Sequence, residues 1–170
     1  TNANGVVLDQ KELQRITANN FSIEVPQGNM AVYRLDPFDT MNIAGTIFLD
    51  VGYSVDFTSH TGVKALEVIS QNITYIQKEF YSTEGDINFY GGSTVKIFRN
   101  VTITSRGRIY FNTTGSALHM VAPSAWNASD TILVNPPVYI SGSENSSFVS
   151  DSEADGFGGF VFRSNVSIIS

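Results

Sequence analysis

The chain of 170 residues contains no cysteine. It therefore has neither a disulfide framework nor a thiolate to bind metal or act as a nucleophile. Cations are also few: ten Lys and Arg against sixteen Asp and Glu give a net charge of −6. Binding nucleic acid depends on clustered cations that displace phosphate counterions, and here they are scattered, so nucleic acid is not expected as a partner. No apolar run approaches the roughly 18 residues that a bilayer-crossing helix needs, and no membrane span is expected in this chain. The opening residues, TNANGVVLDQ, have no initiator Met and no leader pattern, and read as the start of a mature or excised segment. Only two histidines occur, His60 and His119. Neither has a Cys or His at metal-ligand spacing, and both read as solvated surface residues.

Asparagine, serine and threonine are plentiful. Asn20, Asn72, Asn100, Asn112, Asn127, Asn145 and Asn165 each stand two residues before Ser or Thr with no intervening Pro, making seven glycosylation triplets. The composition would supply roughly three by chance. This excess points to a secreted or cell-surface glycoprotein. A repeat that returned Asn and Thr to turns and strand faces would also create such triplets without any glycan.

A repeat is present. Windows starting at Gly45, Gly85 and Gly107 read GTIFLDVGYSVDF, GDINFYGGSTVKIF and GRIYFNTTGSALHM. Gly45, Ile47, Leu49, Gly52, Val55 and Phe57 align without a gap on Gly85, Ile87, Phe89, Gly92, Val95 and Ile97. Gly107, Ile109 and Phe111 follow, then Gly115, Leu118 and Met120 after one inserted residue. In an earlier copy, IEVPQGNMAVY, the corresponding slots fall to Ile23, Val25, Gly28, Ala31 and Tyr33. Each half of the unit alternates apolar and polar residues, as a strand with one buried face does, and the second Gly falls where the chain turns. Positive φ is the expected reason for that glycine. A third alternating stretch, such as NVTIT or NITYI, separates successive units.

Three strands and three corners in about 20 to 24 residues describe one coil of a β-solenoid, so the spacing of 40 between the first two windows reads as two coils. The intervening coil would be GVKALEVISQNITYI. A β-sandwich or jelly roll is the alternative, since short strands at regular spacing also describe those folds. Tight hairpin pairs are scarce, however: Asn4-Gly5 and Asp155-Gly156 both lie outside the repeat. The expected organisation is thus all-β, a single extracellular domain over 1–170. Residues 9–18 form the N-terminal cap, in which 9–16 read as a short capping helix, marked by Asp9 and Glu12 as a capping box and by Leu13 and Ile16 as its apolar face. Repeat coils occupy 20–121, and 122–170 reads as an irregular C-terminal segment.

Candidate chemistry is sparse. DSEADG places Asp151, Glu153 and Asp155 at alternate positions before Gly156, as an oxygen-rich Ca²⁺ loop does, but the place of its closing acid is taken by Phe162. A solvated acidic loop is the simpler reading, and no other cofactor is expected. The repeat stacks outward side chains as Thr46/Asp86/Arg108, as Phe48/Asn88/Tyr110 and as Asp56/Lys96/His119. None of these rows is a carboxylate pair of the kind that cleaves glycosidic bonds, and no catalytic residue is assigned. Phe48 and Tyr110 could meet a sugar ring or simply stack along the coil axis.

The strings GDINFYGGSTVKI, GRIYFNTTGSAL and NVTIT, within about residues 20–121, resemble the β-helical N-terminal domain of fungal adhesin-like, hyphally regulated cell-wall proteins. That resemblance implies a wall-anchored, glycosylated, non-enzymatic domain for adhesion or display, partnered by a host or abiotic surface or by cell-wall polysaccharide. Two alternatives remain: a subunit of a self-assembling extracellular filament, partnered by copies of itself, and a polysaccharide-binding or polysaccharide-active β-helix.

Overall fold

The computed structural model describes residues 9–92, 94–114, 117–141, 146–151, 156 and 158–169, with 168 and 169 described by their backbone. Alternation of apolar and polar residues sends every second side chain into a common interior, and short corners return the chain to the same face one coil later. The result is a β-solenoid of about six turns, closed by three parallel sheets.

The first sheet contains β1 (Phe21–Val25), β3 (Thr46–Val51), β6 (Ala65–Ser70), β9 (Ile87–Gly91), β12 (Ile109–Thr113), β15 (Ile132–Val134) and β18 (Phe160–Phe162). The second contains β2 (Met30–Val32), β4 (Val55–Phe57), β7 (Ile73–Ile76), β10 (Thr94–Ile97), β13 (Leu118–Met120), β16 (Val138–Ser141) and β19 (Val166–Ile169). The third contains β5 (Thr61–Val63), β8 (Phe80–Ser82), β11 (Val101–Ser105), β14 (Ser124–Ala128) and β17 (Ser147–Val149). Ile47 pairs with Leu66, Leu66 with Ile87, and Ile87 with Ile109, so the expected two-coil spacing holds and 65–76 is the intervening coil. All strand pairs among the described residues are parallel, which excludes the hairpin-built sandwich.

The interior is a column of stacked apolar side chains. Its axis is an aromatic series in which ring centroids lie 4.8 Å apart for Phe57–Phe80, 5.7 Å for Phe80–Phe89, 4.9 Å for Phe89–Phe111, 5.0 Å for Phe111–Trp126 and 4.8 Å for Trp126–Phe148. Such pairs add about 0.5–1.5 kcal/mol beyond the area they bury. Buried polar groups within this column are tied to the corners. The Ser105 hydroxyl bridges the Gly85 and Arg108 carbonyls at 2.9 and 3.0 Å and accepts from Gly107 N–H at 3.2 Å. Trp126 Nε1 donates to Ser124 Oγ at 2.6 Å.

At the N-terminal end, α1 (Gln10–Leu13) forms the expected capping box: Glu12 N–H donates to Asp9 Oδ1 at 2.8 Å, and Asp9 N–H to Glu12 Oε2 at 2.9 Å. Leu13 is buried and Ile16 packs against the core.

Three expectations change. The segment 122–170 is not irregular, because β14 to β19 continue the ladders in register. Its corners are longer, with 28 residues from Ile132 to its partner Phe160 against 19 from Ile47 to Leu66, and length obscured the alternation. In the first coil the register is shifted: Phe21 pairs with Ile47, Ile23 with Leu49, Met30 with Val55 and Val32 with Phe57. One extra residue in the β1–β2 corner sends Ala31 and Tyr33 outward, and Tyr33 is 73% exposed. Finally, among the corner glycines Gly28 has the expected positive φ, +114°, but Gly52 and Gly92 do not, and beside Gly92 it belongs to Gly91, at +109°. Gly52 is required by proximity, since a Cβ there would lie 2.7 Å from the Pro26 carbonyl carbon. Gly115 lies outside the described residues.

Candidate functional surface

The outer faces of the sheets carry the polar side chains, and register decides which of them meet. The row Thr46/Asp86/Arg108 forms as expected, with Ala65 between the first two, and Arg108 Nη2 reaches Asp86 Oδ2 at 2.9 Å. The hydrogen bond and charge of Asp86 push the Arg108 guanidinium further up. Phe48, Glu67, Asn88 and Tyr110 form the next row. Burial raises the Glu67 carboxyl. It also raises the Tyr90 phenol, with the Glu67 charge acting in the same sense. Tyr90 and Tyr110 meet edge to face at 5.7 Å.

The third row on this face was not read from sequence: Glu24, Asp50, Ile69, Tyr90 and Asn112. It brings two acids, Glu24 and Asp50, side by side across a coil boundary, both exposed. Correct placement of Phe21 against Ile47 was the signal that would have found them.

On the second sheet, Asp56, Tyr75, Lys96 and His119 stack as expected, with Tyr75 as the intervening residue, and the row continues to Tyr139. The rings of His119 and Tyr139 stack at 5.1 Å with 21° between planes. His60 is not simply solvated: its Nε2 lies 2.7 Å from Asp36 Oδ1, and Arg34 Nε donates to Asp36 Oδ2 at 2.7 Å. Burial works to raise the Asp36 carboxyl, but the hydrogen bonds from His60 and Arg34 outweigh it and hold it below the usual carboxylate range. The Tyr81 ring lies across Gly62 beside this cluster, where a Cβ at residue 62 would fall 2.6 Å from ring atom Cε1.

The described glycosylation triplets all place asparagine at the surface. Asn20, Asn100 and Asn165 are exposed, and Asn72, Asn112 and Asn127 are half-buried. Asn20 and Asn112 are held through their carboxamide oxygens, by Thr46 N–H at 2.9 Å and by Asn135 Nδ2 at 2.9 Å. Among the described residues no hydrogen bond ties up their Nδ2 atoms, which a glycan would take. Asn145 lies outside the described residues. So do Glu153 and Asp155 of the acidic loop; Asp151 is described, with φ +54° and Oδ2 accepting from Gly156 N–H at 3.3 Å. Among the described residues no three His, Asp or Glu side chains converge as metal ligands.

No protein-family model, no curated protein and no solved structure matches this chain.

Proposed function

We propose that this chain is a non-enzymatic, glycosylated extracellular domain, secreted to a cell surface or wall and used there for adhesion or display. The observation that carries the reading is the position of the triplets: all six described asparagines reach the surface, although alternate strand positions of this fold face inward. Coil geometry supports it too, since alternation leaves outward slots free for sugars or ligands while inward slots hold the core. Four of the described outward acids favour display over catalysis. Asp86 and Asp36 are held by Arg108, Arg34 and His60, and Glu24 and Asp50 are exposed.

Expression in a glycosylating host tests this. The intact mass should exceed the 18.5 kDa of the polypeptide and return to it on enzymatic deglycosylation. Cells displaying the domain should also adhere to polysaccharide-coated or plastic surfaces better than cells without it. An unmodified mass together with unchanged adhesion would refute the proposal.

A further inference from the structure

At the corner between the first and second sheets, β12 and β15 lead into a shallow recess of about 410 Å³. Its walls include Thr113, Thr114, Asn135, Pro136, Pro137 and Tyr139. We propose that this recess binds a neutral saccharide unit of a polysaccharide, an inference that rests on the extracellular reading above and gives it a site.

Four features point to that ligand. Among the described residues the lining carries hydroxyls, a carboxamide, prolines and a phenol but no group charged at neutral pH, so none of them compensates a phosphate, sulfate or carboxylate. Tyr139 supplies an aromatic platform, 40% exposed, and its stack on His119 fixes the ring before any ligand arrives. The CH-bearing face of a pyranose suits such a ring, while its hydroxyls need donors and acceptors around the edge.

The wall has an unused acceptor. Asn135 donates from Nδ2 to Tyr110 Oη at 3.0 Å and to Asn112 Oδ1 at 2.9 Å, leaving its own Oδ1 buried and unpartnered. An unmet buried acceptor costs about 1–3 kcal/mol, a cost that a polyhydroxylated ligand can relieve and an apolar one cannot.

The frame is also preorganised. Asn135 N–H donates to Phe111 O at 2.9 Å, Leu118 N–H donates to Pro137 O at 2.8 Å, and two consecutive prolines fix φ between them. Little ordering cost is left for binding.

The test uses the full chain made in a non-glycosylating host, so that only added sugar can fill the recess. It is titrated by calorimetry with neutral hexasaccharides of glucose, mannose and N-acetylglucosamine, and with hexagalacturonate as the anionic comparison. At least one neutral hexasaccharide should bind saturably and hexagalacturonate should not. Tyr139→Ala should weaken binding about tenfold or more, and Tyr139→Phe, which keeps the ring, should retain most of it. Asn135→Ala should weaken binding as well. Lack of saturable binding by every neutral sugar, equal binding of hexagalacturonate, or undiminished binding by Tyr139→Ala would overturn the proposal. Glycan mass is measured on different material, so either result can fail while the other stands.

Discussion

Two adjacent glycines offer a sharp test of how the coils stack. Gly91 pairs with Thr113 and occupies an inward slot filled by Val51 and Ser70 in earlier coils, so its row gives no reason for glycine. The backbone does: φ is +109°, and a Cβ would collide with the Ser70 carbonyl oxygen and lie 2.9 Å from its carbon. Neither side can yield easily, because Gly91 O accepts from Thr114 N–H at 2.9 Å and Ser70 Oγ donates to Tyr53 O at 3.0 Å. A left-handed alanine costs about 1–2 kcal/mol, and overpacking adds about 1–3. Gly91→Ala should therefore cost about 2–5 kcal/mol, a large part of the 5–15 kcal/mol or so typical of a domain. At Gly92 a Cβ would stand 3.3 Å from Gln71 O, with φ outside the left-handed region, and Gly92→Ala should cost less than about 1 kcal/mol. Trp126 is the sole tryptophan and fully buried, so its fluorescence follows urea unfolding directly. Equal midpoints for the two variants, or a Gly91→Ala midpoint matching wild type, would refute the stacking argument.

Two further substitutions address the faces of the strands. Ile109 is fully buried between Ile87 and Ile132, so Ile109→Asp should unfold the domain by stranding a carboxylate in the column, several kcal/mol. Tyr110→Asp, facing outward, should leave a cooperative transition in the same circular-dichroism melt; equal tolerance of both would contradict the inward assignment. For Glu67, burial raises the folded carboxyl above its unfolded value, so its stability contribution is complete below the unfolded pKa and is lost as pH rises through the folded one. Glu67→Gln should thus melt above wild type at pH 7 and approach it below about pH 4, and a pH-independent difference would show that burial is not the cause.

The coil was legible because Ile47, Leu49, Ile87, Phe89, Ile109 and Phe111 keep strict alternation beside nearly constant corners. Their two-coil and one-coil spacings follow directly from the strand period. Where corners lengthen, the same logic misleads. Because the extra residue between Val25 and Met30 goes unseen in the alignment, Ala31 and Tyr33 read as inward when they face out, and the long span before Phe160 hid the alternation of the last coils. Side chains that meet only through register were equally hidden. Arg108 on Asp86 followed from a correct row, whereas Asp36 on His60 joins an N-terminal turn to the next coil, and Asn135 on Asn112 needed β15 to be recognised first. The recess at Tyr139 was out of reach for the same reason, since it is built from two coils and a corner.

Unequal corners beside invariant ladders have an evolutionary consequence. A coil of 19 residues and one of 28 stack on their neighbours through the same parallel pairing, so added length is absorbed where the chain leaves a sheet and does not propagate along it. Insertion there costs only slowly growing loop entropy, about 0.6 kcal/mol per doubling of length. The fold thereby separates two kinds of heritable change: interior substitutions are constrained by every coil they touch, while the rim can gain or lose whole peptides, and with them new binding specificities, one corner at a time.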